Sequence, residues 1–332
     1  MNRVVHLSIL TLLLSFMVSC GSRSKTPDAP KAPPPPIDHN LLALLPYETD
    51  VVMWIDFDKL KKSSLWQLIE EVFHNESLEI PGEAAINPLF ACHEAVLGFW
   101  ESEQHGSQLL IVAKGDAATQ ANTVANILKQ GNATPVEADG FKGVKAKDFY
   151  LLSLTERTIA FGNETLVRMS AKAAKKAGRA LTDNPKYTDF IVNDNASAKL
   201  RYHSDRNEPL ADSLKRVTPK INPNAVSTVN GAFFTETGLD VDIRIQAETQ
   251  IDASVIAEDL NRTKAELSQN MFVLFLGIEW LLNRIEIAAE KEQVKVDITL
   301  DERDVTELGN LMNRLQKIRE LLGNEGANPF AK

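Results

Sequence analysis

Apolar positions along the chain fall into three regimes. Val4 to Val18 is a nearly unbroken apolar run. Residues 22–40 carry almost nothing apolar beyond small residues and prolines. From residue 41 onward, short apolar stretches recur with a period of two or of three to four, which marks strands and amphipathic helices.

Within the third regime the pattern predicts a strand over Val51–Phe57, rich in β-branched and aromatic residues. Asp58 is expected to cap a helix over Lys59–Phe73, with Leu60, Leu65, Leu68, Ile69 and Val72 on one stripe. Strands are expected at Ala95–Trp100 and Gln108–Ala113 about a His105-Gly106 turn, followed by a helix over Asp116–Gln130. Short strands at Val144–Ala146, Phe149–Leu154 and Thr158–Phe161 then lead into a helix from Glu164 to about Ala177.

The later half repeats this order. Val226–Thr235 reads as a strand and Thr237-Gly238 as a turn. Leu239 to Ala247 alternates, with Leu239, Val241, Ile243, Ile245 and Ala247 on one face and Asp240, Asp242, Arg244 and Gln246 on the other. Helices follow at Asp252–Ser268 and Met271–Leu282, then a hairpin of Arg284–Ala289 with Val294–Leu300. Asp301 caps a last helix that Gly323 ends. The alternating wet faces argue against a parallel doubly wound sheet. The expected fold is α+β: two related modules, each an antiparallel sheet with helices packed on one face.

The first forty residues have a different character. Met1-Asn2-Arg3 is a positive start, and the apolar run is too short for a span of about 20 residues. Together with the small residues at its end, this is a secretory signal. Met17-Val18-Ser19-Cys20 resembles the lipobox of bacterial lipoproteins, usually Leu-Ala/Ser-Gly/Ala-Cys, with Met17 departing from the usual Leu. The resemblance implies diacylglycerol on the Cys20 thiol, cleavage before it and acylation of the new amine. At about 0.8 kcal/mol per buried methylene, such chains anchor a protein stably to a membrane. No Asp follows Cys20, which by the same resemblance directs the protein to the outer membrane of the bacterial envelope. The Pro33–Pro36 run makes residues 22–40 an extended tether. A polyproline ligand is the rival reading of that run.

The stretch Leu45-Pro46-x-x-Thr49-Asp50-Val51-Val52, with Asp56, Leu60 and Ser63-Ser64-Leu65-Trp66 after it, resembles uncharacterised envelope lipoproteins of predatory and social bacteria. That likeness covers some two dozen residues and implies no activity. The expected organisation is a signal peptide at 1–19, lipidated Cys20 and tether at 20–40, modules at 41–180 and 181–323, and a tail at 324–332.

Composition sharpens this picture. The chain has 332 residues with 44% hydrophobic and 24% charged, enough for sizeable cores. Its net charge of −9 becomes −10 once Arg3 leaves with the signal, which gives nucleic acid no general attraction. Of two cysteines, lipidation consumes Cys20 and leaves Cys92 without a disulfide partner in the chain.

The chain lacks Gly-x-Ser-x-Gly, Walker, dinucleotide-fingerprint, His-Glu-x-x-His and EF-hand motifs. No catalytic residue, metal ligand set or cofactor site is therefore assigned. Cys92-His93-Glu94 reads as a buried cysteine at a strand edge or, with a partner from elsewhere, as a nucleophile. Asp56 and Asp58 read as a strand end and a helix cap or as paired carboxylates. Lys172, Lys175, Lys176 and Arg179 read as cations at a helix C-terminus or as a headgroup contact. Met271–Leu282 is apolar on all sides, so it is either buried or the wall of an apolar ligand site lined by Phe272, Phe275, Ile278 and Trp280. The expected partners are the membrane through Cys20, an envelope protein and, alternatively, a lipid or other apolar ligand. The function expected is a non-catalytic binding or scaffolding module.

Overall fold

The computed structural model describes residues 40–69, 92–102, 106–117, 133–146, 149–190, 195–203 and 225–323. Their extended stretches form β1 (Val51–Asp56), β2 (Cys92–Ser102), β3 (Gly106–Gly115), β4 (Thr134–Ala138), β5 (Phe141–Ala146), β6 (Phe149–Ser153), β7 (Thr158–Gly162), β8 (Ala198–His203), β9 (Val226–Phe234), β10 (Leu239–Ala247), β11 (Ile285–Glu290) and β12 (Gln293–Leu300). All twelve belong to one sheet, in the order β11-β12-β10-β9-β8-β1-β2-β3-β7-β6-β5-β4. Every neighbouring pair is antiparallel. The antiparallel α+β expectation agrees with this. A separate sheet for each half does not, because β1 bonds to β2 on one side and to β8 on the other: Val51 faces both Phe99 and Tyr202.

The helices are α1 (Phe57–Leu60), α2 (Glu164–Ala174), α3 (Gln250–Ser268), α4 (Met271–Leu276), α5 (Glu279–Asn283) and α6 (Glu302–Gly323). Four of these helices, α1, α2, α3 and α6, start with a side chain that satisfies an orphan amide, whereas Ile278 at the start of α5 offers none. Asn163 Oδ1 accepts from Leu166 N at 3.0 Å, and Thr249 Oγ1 from Asp252 N at 3.1 Å. Asp301 Oδ1 accepts from Arg303 N and Asp304 N at 2.8 and 2.9 Å. At α1 the cap lies two residues earlier than expected. Asp56 Oδ1 accepts from Lys59 N at 2.9 Å, and Asp58 sits inside the first turn. The long helix expected over Lys59–Phe73 is interrupted after Leu60 and resumes over residues 65–69, and its remainder lies outside the described residues. So do the His105 turn residue and nearly all of the Asp116–Gln130 helix.

Helices cover opposite faces of the sheet in its two halves. Even-numbered β1 residues Val52 and Trp54 pack with Val96, Leu110, Val112 and Leu152 under α2. Leu41, Leu44, Leu45, Leu181, Tyr187 and Phe190 complete that cluster. Odd-numbered Val51, Met53 and Ile55 face the other way, toward Tyr202, Val229, Ile243, Ile245 and Val296 beneath Ile256 and Ala257 of α3. Alternation along a strand makes this possible, since one strand supplies both cores. In the first half, the face opposite α2 holds Ile111, Ala113, Ile159 and Leu151 against Phe57 and Trp66. Helices on a single face, as expected, therefore do not describe the first half. Gly309 on α6 stands beside Leu68, so the last helix of the later half reaches back to the first.

Both outer strands are shielded. On β11 the carbonyls of Ile285 and Ile287 accept from Lys264 Nζ at 2.6 Å and Asn261 Nδ2 at 3.3 Å, both on α3. On β4, Pro135 has no amide hydrogen to offer.

The β9–β10 turn needs its glycine. Gly238 has φ of +124°, and a Cβ there would stand 2.1 Å from the Leu300 carbonyl oxygen. Gly238→Ala is expected to lower unfolding free energy by about 1–3 kcal/mol in urea titration. An unchanged midpoint would contradict this account of the turn.

Candidate functional site

The segment that follows α3 is shaped by one residue. Gly277 has φ of +66° and divides the apolar run into α4 and α5, where one helix was expected. In α4, Val273 and Leu276 are buried while Met271 is 81% and Leu274 46% exposed. Ile278 packs against the second-half core. Phe272 and Phe275 lie on α4, and their side chains are outside the described residues. Trp280, half-buried on α5, lines an open cleft of about 530 Å³ with Asn283, Arg284, Asp304 and Glu307. Of the four expected apolar contacts, the structure places Trp280 in a cleft and Ile278 in the core.

The cleft has a fixed polar floor. Arg284 Nη2 lies 3.1 and 2.9 Å from the two carboxylate oxygens of Asp304. Asp301 N also donates to Asp304 Oδ2 at 3.3 Å, which closes a capping box at the start of α6. Asn283, Arg284, Asp304 and Glu307 are residues that pattern reading of apolar stretches passes over.

The Cys92-His93 pair does not form a nucleophile and its base. Cys92 is fully buried and forms no disulfide, whereas the His93 side chain is 44% exposed. His93 Nδ1 contacts both oxygens of Asp58 at 3.0 and 2.9 Å, and Nε2 contacts Asp116 Oδ1 at 3.3 Å. These carboxylates sit at opposite edges of the ring, so they converge on the imidazolium and share no common point for a metal ion. Among the described residues, no group of His, Cys, Asp and Glu could hold one. The Asp58 hydrogen bond, then that of Asp116, raises the His93 pKa above its ordinary 6.5. Asp56 is occupied as a cap, so Asp56 and Asp58 do not act as a pair.

A second polar cluster lies where the halves meet. Arg201, buried on β8, donates from Nε to Asn230 Oδ1 at 2.6 Å and from Nη1 to the Lys186 carbonyl at 3.0 Å, and it pairs with Asp189. His203 Nε2 donates to the same Lys186 carbonyl at 3.0 Å, and its Nδ1 accepts from Thr228 Oγ1 at 3.3 Å. Burial holds the His203 pKa down to about 4. Tyr187 Oη donates to the Asp50 carbonyl at 2.9 Å. These contacts tie residues 184–190 to the middle of the sheet.

Beyond that cluster the same face of β10 and β12 is charged and half-exposed. Asp242 stands opposite Asp297 and Arg244 opposite Lys295. The charges are balanced along each strand, by Arg244 Nη2–Asp242 at 2.6 Å and Lys295 Nζ–Asp297 at 2.6 Å. Of the basic run, Lys175 lies over the Phe141 ring at 5.4 Å and Arg179 over Tyr47 at 3.7 Å, so two of its four cations are stacked on aromatics. Among the described residues no helix is long and apolar enough to cross a membrane.

No protein-family model matches the chain, and none of the curated proteins does. Among solved structures the fold is similar to TP0453. Crystal form III matches at 11% identity with a TM-score of 0.52, covering 82% of this chain and 96% of that one. Crystal form I matches at 9% identity with a TM-score of 0.50, covering 82% and 97%. At such identity the likeness shows the shared fold.

The two histidines predict opposite pH dependences. The raised pKa of His93 stabilises the fold below pH 6.5, and this contribution is lost as pH rises through the folded-state value. His203, with its pKa lowered, contributes stability above pH 6.5 that is lost as pH falls toward 4. Titration by NMR is expected to place His93 above 6.5 and to return it toward 6.5 in Asp58→Asn. His203→Gln is expected to flatten the loss of stability between pH 6.5 and 4. A His93 value at or below 6.5 would refute the carboxylate clamp.

Proposed function

We propose that the chain is a non-catalytic lipoprotein of the bacterial envelope. Lipid on Cys20 holds it to the outer membrane, residues 22–40 stand the body off the bilayer, and the body serves as a binding or scaffolding module on the periplasmic side. The lipobox-like Met17-Val18-Ser19-Cys20 and the proline-rich tether support the anchor. The observation that carries the binding role is the sheet face of β10 and β12 opposite α3. Its charged side chains are half-buried by one another, with 29–38% of Asp242, Arg244, Lys295 and Asp297 exposed, and among the described residues no helix packs on it. An uncovered sheet face with charges of both signs can meet a folded protein partner through complementary charge.

The halves are also proposed to be two related modules. Counted outward from the β1–β8 contact, β1-β2-β3-β7-β6 answers to β8-β9-β10-β12-β11. In each series two hairpin-linked strands are followed by a later strand inserted beside the third.

A second reading, carriage or sensing of a lipid or other apolar ligand, is favoured by the Trp280 cleft and by the outward Met271 and Leu274. Native mass spectra before and after organic extraction test it. Removable mass that proves to be lipid supports it, and a clean apo mass argues against it.

For the leading reading, metabolic labelling with palmitate is expected to mark the wild-type protein in the membrane fraction. Cys20→Ala should remove both the label and the membrane association. Photocrosslinkers on Lys295 or Asp240 should capture a partner protein in the envelope, while one on the α3 residue Ser254 should not. Label retained in Cys20→Ala would sink the anchor, and equal capture from both faces would sink the docking face.

A further inference from the structure

The Trp280 cleft has an unusual charge balance. Its lining carries one cation, Arg284, and two carboxylates, Asp304 and Glu307. Arg284 and Asp304 neutralise each other across 2.9 Å, and the remaining demand of Asp304 is met by Asp301 N. Glu307, one turn further along α6, is exposed and has no ion-pair partner among the described residues. One guanidinium against two carboxylates leaves the lining with a net charge of −1, beside the indole of Trp280. An anion would meet that net negative charge, with Glu307 exposed at the cleft and Arg284 held to Asp304 through Nη2. A wholly apolar guest would leave the floor of charged groups desolvated, which costs free energy.

We infer that this cleft binds an organic ammonium group, with Glu307 as its counter-ion and Trp280 as its cation–π wall. Indole is the strongest aromatic partner for such a cation. An ammonium with methyl or methylene substituents also gains from the apolar side of Trp280, where a metal ion would not. The amide of Asn283, exposed at the same rim, is available to a hydroxyl or phosphate attached to that ammonium. The inference deepens the apolar-ligand reading by naming the polar group of the guest, and it rests on the cleft being a ligand site. It does not depend on the anchor at Cys20.

The chain has four tryptophans, so fluorotryptophan labelling gives a resolvable fluorine spectrum, with Trp280 assigned by Trp280→Phe. Choline chloride is titrated against the protein beside 3,3-dimethylbutan-1-ol, its uncharged carbon isostere, with sodium chloride matching ionic strength. Choline is expected to move the Trp280 resonance with millimolar affinity, and the isostere to bind at least about threefold more weakly. Glu307→Gln should weaken choline by about threefold or more and leave the isostere unchanged. Equal binding of choline and isostere would overturn the ammonium inference and keep an apolar site. No shift with either would overturn both. Monomeric lysophosphatidylcholine that binds more tightly than choline assigns the ammonium to a lipid headgroup, and equal binding assigns it to a free solute. Either result sustains the site.

Discussion

Strand β1 divides its backbone hydrogen bonds between the two halves of the molecule. Its six residues pair with β2 along one edge and Val51–Ile55 pair with β8 along the other, and its two sets of side chains enter different cores. Val52 and Trp54 are sealed beneath the layer that carries α2, while Val51, Met53 and Ile55 border the core under α3. A sheet assembled in two separate pieces would expose both long edges of the joint and both apolar flanks of β1. The continuity of the sheet is thus a condition for burying either core, and the halves are expected to fold as one cooperative unit.

Local chemistry reinforces that joint. Residues 184–190 leave the first-half core through Tyr187 and Phe190, yet they are fastened to β8 of the second half by Arg201 and His203. Arg201 carries its charge into a nearly dry place, which is tolerable only because Asn230, Asp189 and a backbone carbonyl receive its donors and the Phe190 ring lies 5.5 Å away. His203 solves the same problem by staying neutral. Both residues alternate with Ala198, Leu200 and Tyr202, whose side chains face the opposite way.

Periodicity made β10, β12, α2, α3 and α6 legible in the sequence, since each has one face against a core and one in water. β8 carries the same alternation over Ala198 to His203, but its outward set is strongly basic and it follows a stretch without clear pattern. The pattern reading therefore passed over the strand that joins the halves. The β4–β5 hairpin was also missed, although Asp139-Gly140 is a two-residue turn signal, with φ of 52° and 76° at its two positions. Two effects hid it: β4 contains Pro135, and the strand is too short and exposed to show alternation. The break in the apolar run at Gly277 had its signal too, one glycine amid helix formers. Composition of the run outweighed it, and the cleft beside α5 went unseen except for Trp280. Sequence reasoning finds faces that touch a core. It has no purchase on Glu307 or Arg284, whose importance lies in which charge remains after the others have been paired.

The shielding of the outer strands matters most if the body is tethered at high surface density. Molecules held at a common height by equal tethers meet repeatedly with their sheets in similar orientation, the geometry in which strand edges add to one another and a sheet propagates from copy to copy. Lys264 and Asn261 occupy acceptors that an incoming strand would need at β11, and Pro135 withholds a donor at β4. Crowding that would drive an unguarded sheet toward fibrils should leave this one as separate molecules.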